Sequence, residues 1–346
     1  METQSPRPAV ASKSAPGKPI VIATRGSLLA LAQANQVLGM CRAAFPARTF
    51  ELRVIKTTGD RLQRASLADP SSKLPKGLFT KELEVALLAG DADFAVHSLK
   101  DLPTDLPEGL RLAAVLERED TRDLLIARAG EFVPARPAKA ASRLAHLPAG
   151  ALIATSSTRR VAQLREHRPD LRFVEIRGNV QTRMRKLGAD PSLAGTILAA
   201  AGLKRLGIKR RADGSLEVPS DGKSGAPIPP MQGWPMELEF MLPAVGQAAI
   251  GLEGRSGDKI TAAILKKLNH APTLTCVRLE RAFLSGFGGG CHSPVAALAT
   301  LAGDVVRFRA VAYEGERVWR RAVQLPLPGA VAAARRMGRE ARKALA

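Results

Sequence analysis

From residue 20 onward, short apolar runs alternate with amphipathic stretches. Ile20-Val-Ile-Ala-Thr24 suits a buried strand, and after Arg25-Gly26-Ser27 an apolar stripe through Leu31, Ala34, Leu38 and Cys41 predicts a helix. Nearly the same wording returns at residues 151–167, where Ala151-Leu-Ile-Ala-Thr155 leads through Ser156-Ser157-Thr158 into a helix beginning near Arg159 and Arg160. Two such openings predict two domains of similar build. Further strands are expected at 51–57, 93–97, 123–127, 172–176 and 195–200, with helical stretches at 80–89 and 179–187. Alternating strands and helices predict α/β domains with mostly parallel sheets. Residues 129–148, with their Ala, Pro and Arg, read as a surface excursion, and 211–236, rich in Gly, Pro, Ser and Asp, as a mobile loop. From about residue 271 the texture changes. A helix carrying Cys276 precedes a run in which Val306, Phe308, Ala310 and Ala312 alternate with Arg307 and Arg309. With 295–301 and 318–325 this predicts a three-stranded antiparallel sheet, closed by an amphipathic helix over 329–345.

A chain of 346 residues, 45% of them hydrophobic, has room for two or three cores. No window approaches the ~18 consecutive apolar residues of a membrane helix, so no membrane association is expected. Residues 1–18 lack the apolar run of a secretory signal and read as a disordered tail. The formal charge of +20 implies attraction to something anionic, either nucleic acid or a small polycarboxylate. Only 4% of residues are aromatic, and they do not interleave with the basic ones, which argues against a base-stacking surface. No nucleic-acid motif is present, and part of the charge, in Lys204 to Arg211 and the last helix, reads as solvated surface. Three cysteines without paired metal spacing point to a reducing cytoplasm and to no metal. Cys41 and Cys276 fall on apolar helical faces. Cys291 follows Gly286-Phe-Gly-Gly-Gly290 and precedes His292-Ser-Pro294, in a loop able to expose a thiol.

The stretch from Phe79 to Asp101 runs helix, turn, apolar strand, and then a lone carboxylate beside Lys100. In open α/β sheets ligands bind at the carboxyl ends of strands, so Asp101 is a candidate for chemistry, the alternative being a turn or cap residue. Basic clusters also sit at element boundaries: Arg25 with Ser27, Arg159 with Arg160, Arg177 with Arg183, and Lys204 with Arg205. A guanidinium fork beside free helix N–H groups cradles a carboxylate or phosphate. A cation in the first helical turn opposes the helix dipole by about 0.3 to 1 kcal/mol, so Arg159 and Arg160 call for a compensating anion. Lys76 and Lys100 either join that anion site or lie on the surface. Cys291 is open to three readings: nucleophile, attachment point or inert thiol. His292 beside it could serve as base, but the doublet is weak evidence for a dyad because adjacent residues of an extended chain point apart, and His97 reads as a hydrogen-bonded core residue.

Ordered motifs carry a resemblance: Thr24-Arg25-Gly-Ser27, Lys76-Gly-Leu-Phe79, His97-Ser-Leu-Lys100-Asp101-Leu-Pro103, Thr155-Ser-Ser-Thr-Arg159-Arg160, Arg177-Gly-Asn-Val-Gln-Thr-Arg183, Gly202-Leu-Lys204-Arg205, Leu242-Pro-Ala-Val-Gly-Gln247 and Gly289-Gly-Cys291. Over about residues 20–325 the chain resembles the porphobilinogen deaminase (hydroxymethylbilane synthase) family. The resemblance implies two similar doubly wound α/β domains facing a cleft, as in periplasmic binding proteins, plus a small C-terminal α+β domain. The expected bounds are 19–118 with 245–268, 119–244, and 269–346, with hinge crossings near 116–122 and 243–248. It implies a monomeric cytoplasmic transferase that condenses four porphobilinogen units into hydroxymethylbilane with loss of ammonia, in tetrapyrrole biosynthesis. Its implied cofactor is a dipyrromethane held by a thioether to Cys291, with Asp101 as the catalytic carboxylate. Cofactor carboxylates would be bound by Ser27, Lys100, Arg159, Arg160, Arg183 and Arg205, and substrate by Arg25, Ser27, Lys76, Arg177 and Arg183. Departures from the family pattern are Gly26 in place of a larger polar residue, Leu29 near a common Pro, His292 after the cysteine, and long segments at 129–148 and 211–236. A two-domain ligand-binding protein would need neither Cys291 nor Asp101, and a nucleic-acid binder rests on charge alone. The enzyme reading uses the Cys, the Asp and the Arg clusters together.

Overall fold

A computed structural model describes residues 17–59, 79–131, 144, 147–220, 227–290 and 293–346. Its elements begin with β1 (Ile20–Arg25), α1 (Leu28–Ala44), β2 (Phe50–Ile55), α2 (Lys81–Ala89), β3 (Phe94–Ser98), β4 (Leu110–Val115) and β5 (Asp123–Arg128). Next come β6 (Leu152–Ala154), α3 (Thr158–His167), β7 (Arg172–Val174), α4 (Val180–Ala189), β8 (Leu193–Ala199), α5 (Ala200–Arg205), β9 (Lys209–Arg210), β10 (Ser215–Glu217) and β11 (Met231–Pro235). The chain ends through β12 (Ile250–Arg255), α6 (Lys259–Leu268), α7 (Ala271–Phe287), β13 (Val295–Ala302), β14 (Val305–Glu314), β15 (Arg317–Pro326) and α8 (Ala330–Leu345).

One compact unit comprises the residues up to Glu117 together with Ile250–Leu274. Its sheet has the order β2-β1-β3-β12-β4, in which β1 is parallel to β2 and β3 while β12 is antiparallel to β3 and β4. The period of two along β1 sends Ile20 and Ile22 to the face covered by α1 and α6, and Ala23 to the face covered by α2, where Leu83 and Leu87 meet it. Helices on both faces make this a doubly wound layer. Cys41 is buried on α1, and burial pushes its thiol up to about 11.

The second unit comprises Arg118–Ala249 and Thr275–Ala346. Its larger sheet runs β7-β6-β8-β5-β11-β10-β9, and β7-β6-β8-β5-β11 repeats the order and sense of the first sheet: two parallel pairs, then two antiparallel ones. The expectation of mostly parallel sheets is therefore corrected. In each sheet the fourth strand is supplied out of sequence order, β12 late in the chain and β5 early, so it enters without the crossover helix that a parallel neighbour requires. The reading of 211–236 as a loop is also corrected. Gly214, at φ 90°, turns β9 into β10, and β11 then pairs antiparallel with β5 and buries Trp234. Gly233 and Pro235 disguised that strand as a turn. Within 129–148, Leu144 and Leu147 are not surface residues; both are buried in the core beside Leu164.

The same unit holds the antiparallel sheet β13-β14-β15. One face packs Ala297, Val306, Phe308 and Ala310 against α7 and α8. The other sets Ala296, Leu298, Val311 and Tyr313 against Ala162 of α3 and against Leu238 and Leu242. A Cβ at Gly338 of α8 would overlap the Phe283 carbonyl oxygen of α7, so glycine permits backbone contact between the two helices.

Candidate active site

In the first unit, two strand ends build a pocket. β1 delivers Arg25, and Ser27 caps α1 by accepting the Ala30 N–H at 3.2 Å. β3 ends at Ser98 and continues as a single 3-10 turn, Leu99–Asp101, which leaves Asp101 exposed at the carboxyl end of the sheet. Arg25, Ser27, Gln33, His97, Ser98 and Asp101 all line this pocket, and the Arg25 guanidinium lies 4.2 Å from the centre of the Phe79 ring. Lys100 is half-buried on the same turn.

Gln33 was missed in the sequence. It is 1% exposed, its Oε1 accepts the Ser98 hydroxyl at 3.0 Å, and its Nε2 has no hydrogen-bond partner among the described residues. A buried donor left unmade is costly, so it suits an acceptor from outside the chain. The available signal was a polar residue in the buried stripe of α1, one turn from Ala30 and Val37. Beneath the pocket, His97 Nε2 lies 2.9 Å from Glu253 Oε2, both buried, which agrees with the core role expected for His97. Burial, assisted by the charge of Glu253, raises the carboxyl of nearby Glu84.

The second unit places Arg159 and Arg160 in the first turn of α3, capped by Ser157, and buries both. The anion that their position calls for is a side chain of the protein, Asp123 at the start of β5. Arg159 Nη2 donates to Asp123 Oδ2 at 2.7 Å, and Arg160 reaches both oxygens, with Nη2 to Oδ1 at 2.8 Å. Their other donors reach the carbonyls of Leu242 (2.6 Å) and Ile197 (2.7 Å), and Gln247 Nε2 adds a bond to Asp123 Oδ1 at 3.0 Å. Burial opposes the charge on Asp123, but the two guanidiniums outweigh it and hold its carboxyl well below the ordinary range. These contacts give the pair a task inside the fold that the sequence did not disclose, since Asp123 lies 36 and 37 residues away.

Lys204 and Arg205 stand after β8, the strand equivalent to β3, so they occupy the topological place that Asp101 has in the first unit. Lys204 is exposed and pairs with Glu119 at 2.6 Å. Arg205 Nη2 donates to the Ala248 carbonyl at 2.6 Å, while its buried Nε has no partner among the described residues. Ala248, at φ 71°, is the one non-glycine described residue with positive φ. Arg177 is exposed and pairs with Glu175 at 3.0 Å; Arg183 is half-buried on α4 and donates through Nε to the Gly178 carbonyl at 2.8 Å. Cys291 and Lys76 lie outside the described residues. The end of α7 at Phe287 and the start of β13 at Val295 bracket Cys291. Among the described residues no group of His, Cys, Asp and Glu side chains could hold a metal ion, and no helix is long and apolar enough to cross a membrane.

Comparison with known proteins gives two family matches: "Porphobilinogen deaminase, dipyromethane cofactor binding domain" over residues 20–263 and "Porphobilinogen deaminase, C-terminal domain" over residues 274–346. Among relatives, the porphobilinogen deaminase of Syntrophomonas wolfei is 43% identical over 288 residues, 83% of each chain. That of Paracoccus denitrificans is 44% identical over 296 residues, covering 85% of this chain and 83% of its own. The solved BenM effector binding domain with its effector benzoate overlays 72% of this chain and 91% of that one at 14% identity, with a TM-score of 0.39, a likeness that supports no argument. By the family matches and the relatives alike, the chain belongs to the porphobilinogen deaminase family.

Proposed function

We propose that the pocket around Asp101 is where this transferase of tetrapyrrole biosynthesis condenses porphobilinogen into hydroxymethylbilane, and that Cys291 carries its dipyrromethane. The observation that bears most weight is the union in one pocket of an exposed carboxylate, a guanidinium and a buried amide donor without a partner: Asp101, Arg25 and Gln33. Each porphobilinogen brings two carboxylates and a pyrrole N–H. Arg25, Ser27 and Gln33 suit the carboxylates, and Asp101 suits the N–H. Each condensation breaks one carbon–nitrogen bond, forms one carbon–carbon bond and releases ammonia and a proton. Positive charge builds on the ring as ammonia leaves, and a fixed carboxylate both balances that charge and accepts the proton. When bound, dipyrromethane supplies the free pyrrole carbon from which the chain lengthens. The residues present fit such a polycarboxylate: Arg205 keeps a buried Nε without a partner among the described residues, and Arg177, Arg183 and Lys100 add cationic or donor groups. We assign Lys76 to substrate on the family pattern alone. Arg159 and Arg160 act here through the Asp123 brace, which holds the first turn of α3 in shape for an anion.

The reading includes three domains, with bounds near 19–118 with 245–268, 119–244, and 269–346, a monomer, and a cytoplasmic location. It is tested by the intact mass of the purified chain beside Cys291→Ser. A mass excess of two linked pyrroles in the parent, absent from the variant, is expected. The same excess in Cys291→Ser would overturn the assignment of the tether, and a parent still bare after incubation with porphobilinogen would overturn the cofactor.

A further inference from the structure

Tyr313, the only tyrosine in the chain, is 3% exposed on β14 and faces α3. Its hydroxyl donates to Glu166 Oε2 at 2.6 Å, and Arg320 Nη2 of β15 reaches both Glu166 oxygens at 2.7 and 2.8 Å. Burial works against the charge on Glu166, but the bonds from Tyr313 and Arg320 outweigh it and keep the carboxyl below its ordinary range. Neither partner is the residue that helix electrostatics or apolar packing alone would place there. Glu166 lies in the last turn of α3, where a negative charge opposes the helix dipole. Tyr313 sits among Ala296, Leu298, Val311, Leu238 and Leu242, an apolar joint that a phenylalanine would fill. A buried polar group in an otherwise apolar joint specifies one register over its neighbours.

The register matters because of where Tyr313 points along its backbone. Its N–H donates to the Pro294 carbonyl at 3.1 Å, three residues from Cys291. β13 then starts at Val295, paired with Ala312. One residue thus holds Pro294, just before β13, by its backbone and α3 by its side chain. The other end of α3 is fixed by Asp123 through Arg159 and Arg160. We propose that Tyr313 and Glu166 are positioning residues for the tether: they register the Cys291 segment against α3, and so set where the growing chain starts relative to the groups of this unit that receive its carboxylates.

This inference rests on the tether reading, and its test separates the two. In the apoprotein, Cys41 and Cys276 are buried, so native alkylation reports Cys291. Tyr313→Phe and Glu166→Ala should change that alkylation rate by about fivefold, the factor that one hydrogen bond corresponds to. Glu166→Gln, which keeps an acceptor for the phenol, should restore most of the parent rate. In the loaded enzyme the same variants should keep the covalent cofactor but shift the mass ladder of chain-length intermediates toward short chains. Leu298→Ala, which loosens the apolar joint without touching the polar group, lowers the melting temperature and leaves the ladder unchanged. If Tyr313→Phe and Glu166→Ala melt earlier yet show the parent alkylation rate and ladder, the contact is structural only and the proposal fails. Arg320→Gln, at an exposed position, serves where Glu166→Ala does not fold. A parent chain without any adduct would sink the tether reading, while the alkylation arm would still decide the positioning claim.

Discussion

Asp123→Asn tests the internal anion of the second unit. The substitution keeps the shape and one acceptor but removes the charge that faces Arg159 and Arg160, both under 10% exposed, at 2.7 and 2.8 Å. Removing one partner of a buried ion pair costs about 3–5 kcal/mol. The acceptor that Asn retains is worth about 1 kcal/mol, so a loss of about 2–4 kcal/mol is expected. Urea unfolding reads this through Trp234, which is 3% exposed in the core of the same unit, in a Trp319→Phe background that leaves one tryptophan. At a slope of about 1–3 kcal/mol per molar urea, the midpoint falls by roughly 0.7–4 M. The dependence on pH carries a definite sign. The Asp123 carboxyl is depressed in the folded state, so its stabilisation is complete above the unfolded value of about 3.9 and is lost as pH falls through the folded value. The gap between parent and Asn variant should therefore be flat from pH 8 to about 5 and close only in stronger acid. A midpoint change under about 0.3 M would show that the arginines do not need Asp123 and would return them to ligand binding alone.

Asp101→Asn should keep the fold and the covalent cofactor while kcat falls at least about a hundredfold, the usual worth of a positioned acid or base; a near-parent rate in a continuous assay would remove the carboxylate from the chemistry. Gln33→Leu should leave the melting temperature nearly unchanged, because a buried donor without a partner disappears along with the bond to Ser98, yet raise the KM for porphobilinogen about fivefold; an unchanged KM would mean that the amide meets no ligand. Gly338→Ala should destabilise the packing of the β13-β14-β15 sheet and its helices by about 1–3 kcal/mol, since the new methyl meets α7 backbone and not a side chain that can swing aside. Thermal unfolding at the parent midpoint would contradict that packing.

The elements whose period and boundary signals are local were legible. The β1 and β6 openings, the exposed Asp101 after β3, the β13-β14-β15 sheet and the buried Cys41 and Cys276 follow from patterns within about twenty residues. What escaped was set by distant partners. Glu253 reads as a charge in a strand of six residues with two glycines, and only the fold brings it to His97. β11 was hidden because Gly233 and Pro235 carry turn signals, whereas the strand owes its place to β5 and to burial of Trp234. At Arg159 and Arg160 the dipole argument identified a real electrostatic need. What local spacing does not disclose is the anion inside the chain, because a carboxylate 36 residues upstream leaves no trace there.

The two repeated sheets place different residues at the same topological position. Each begins with a strand and a serine-capped helix, Ser27 on α1 and Ser157 on α3, and each ends its third strand at the edge where ligands of open sheets bind. At that edge the first unit breaks into a three-residue turn carrying Asp101, and the second continues as α5, whose last residues are Lys204 and Arg205. A condensation that generates transient positive charge on a substrate rich in carboxylates needs both signs fixed in place before the reaction starts. In the first unit the pocket at that edge holds both signs, Arg25 beside Asp101. In the second unit Lys204 is paired with Glu119 at 2.6 Å, while Arg205 reaches the Ala248 carbonyl, so the strand ends hold these groups on rigid elements in both copies. The repeat is thus close in strand order and capping, and it differs at the residues that follow the third strand, Asp101 in one copy and Lys204 with Arg205 in the other.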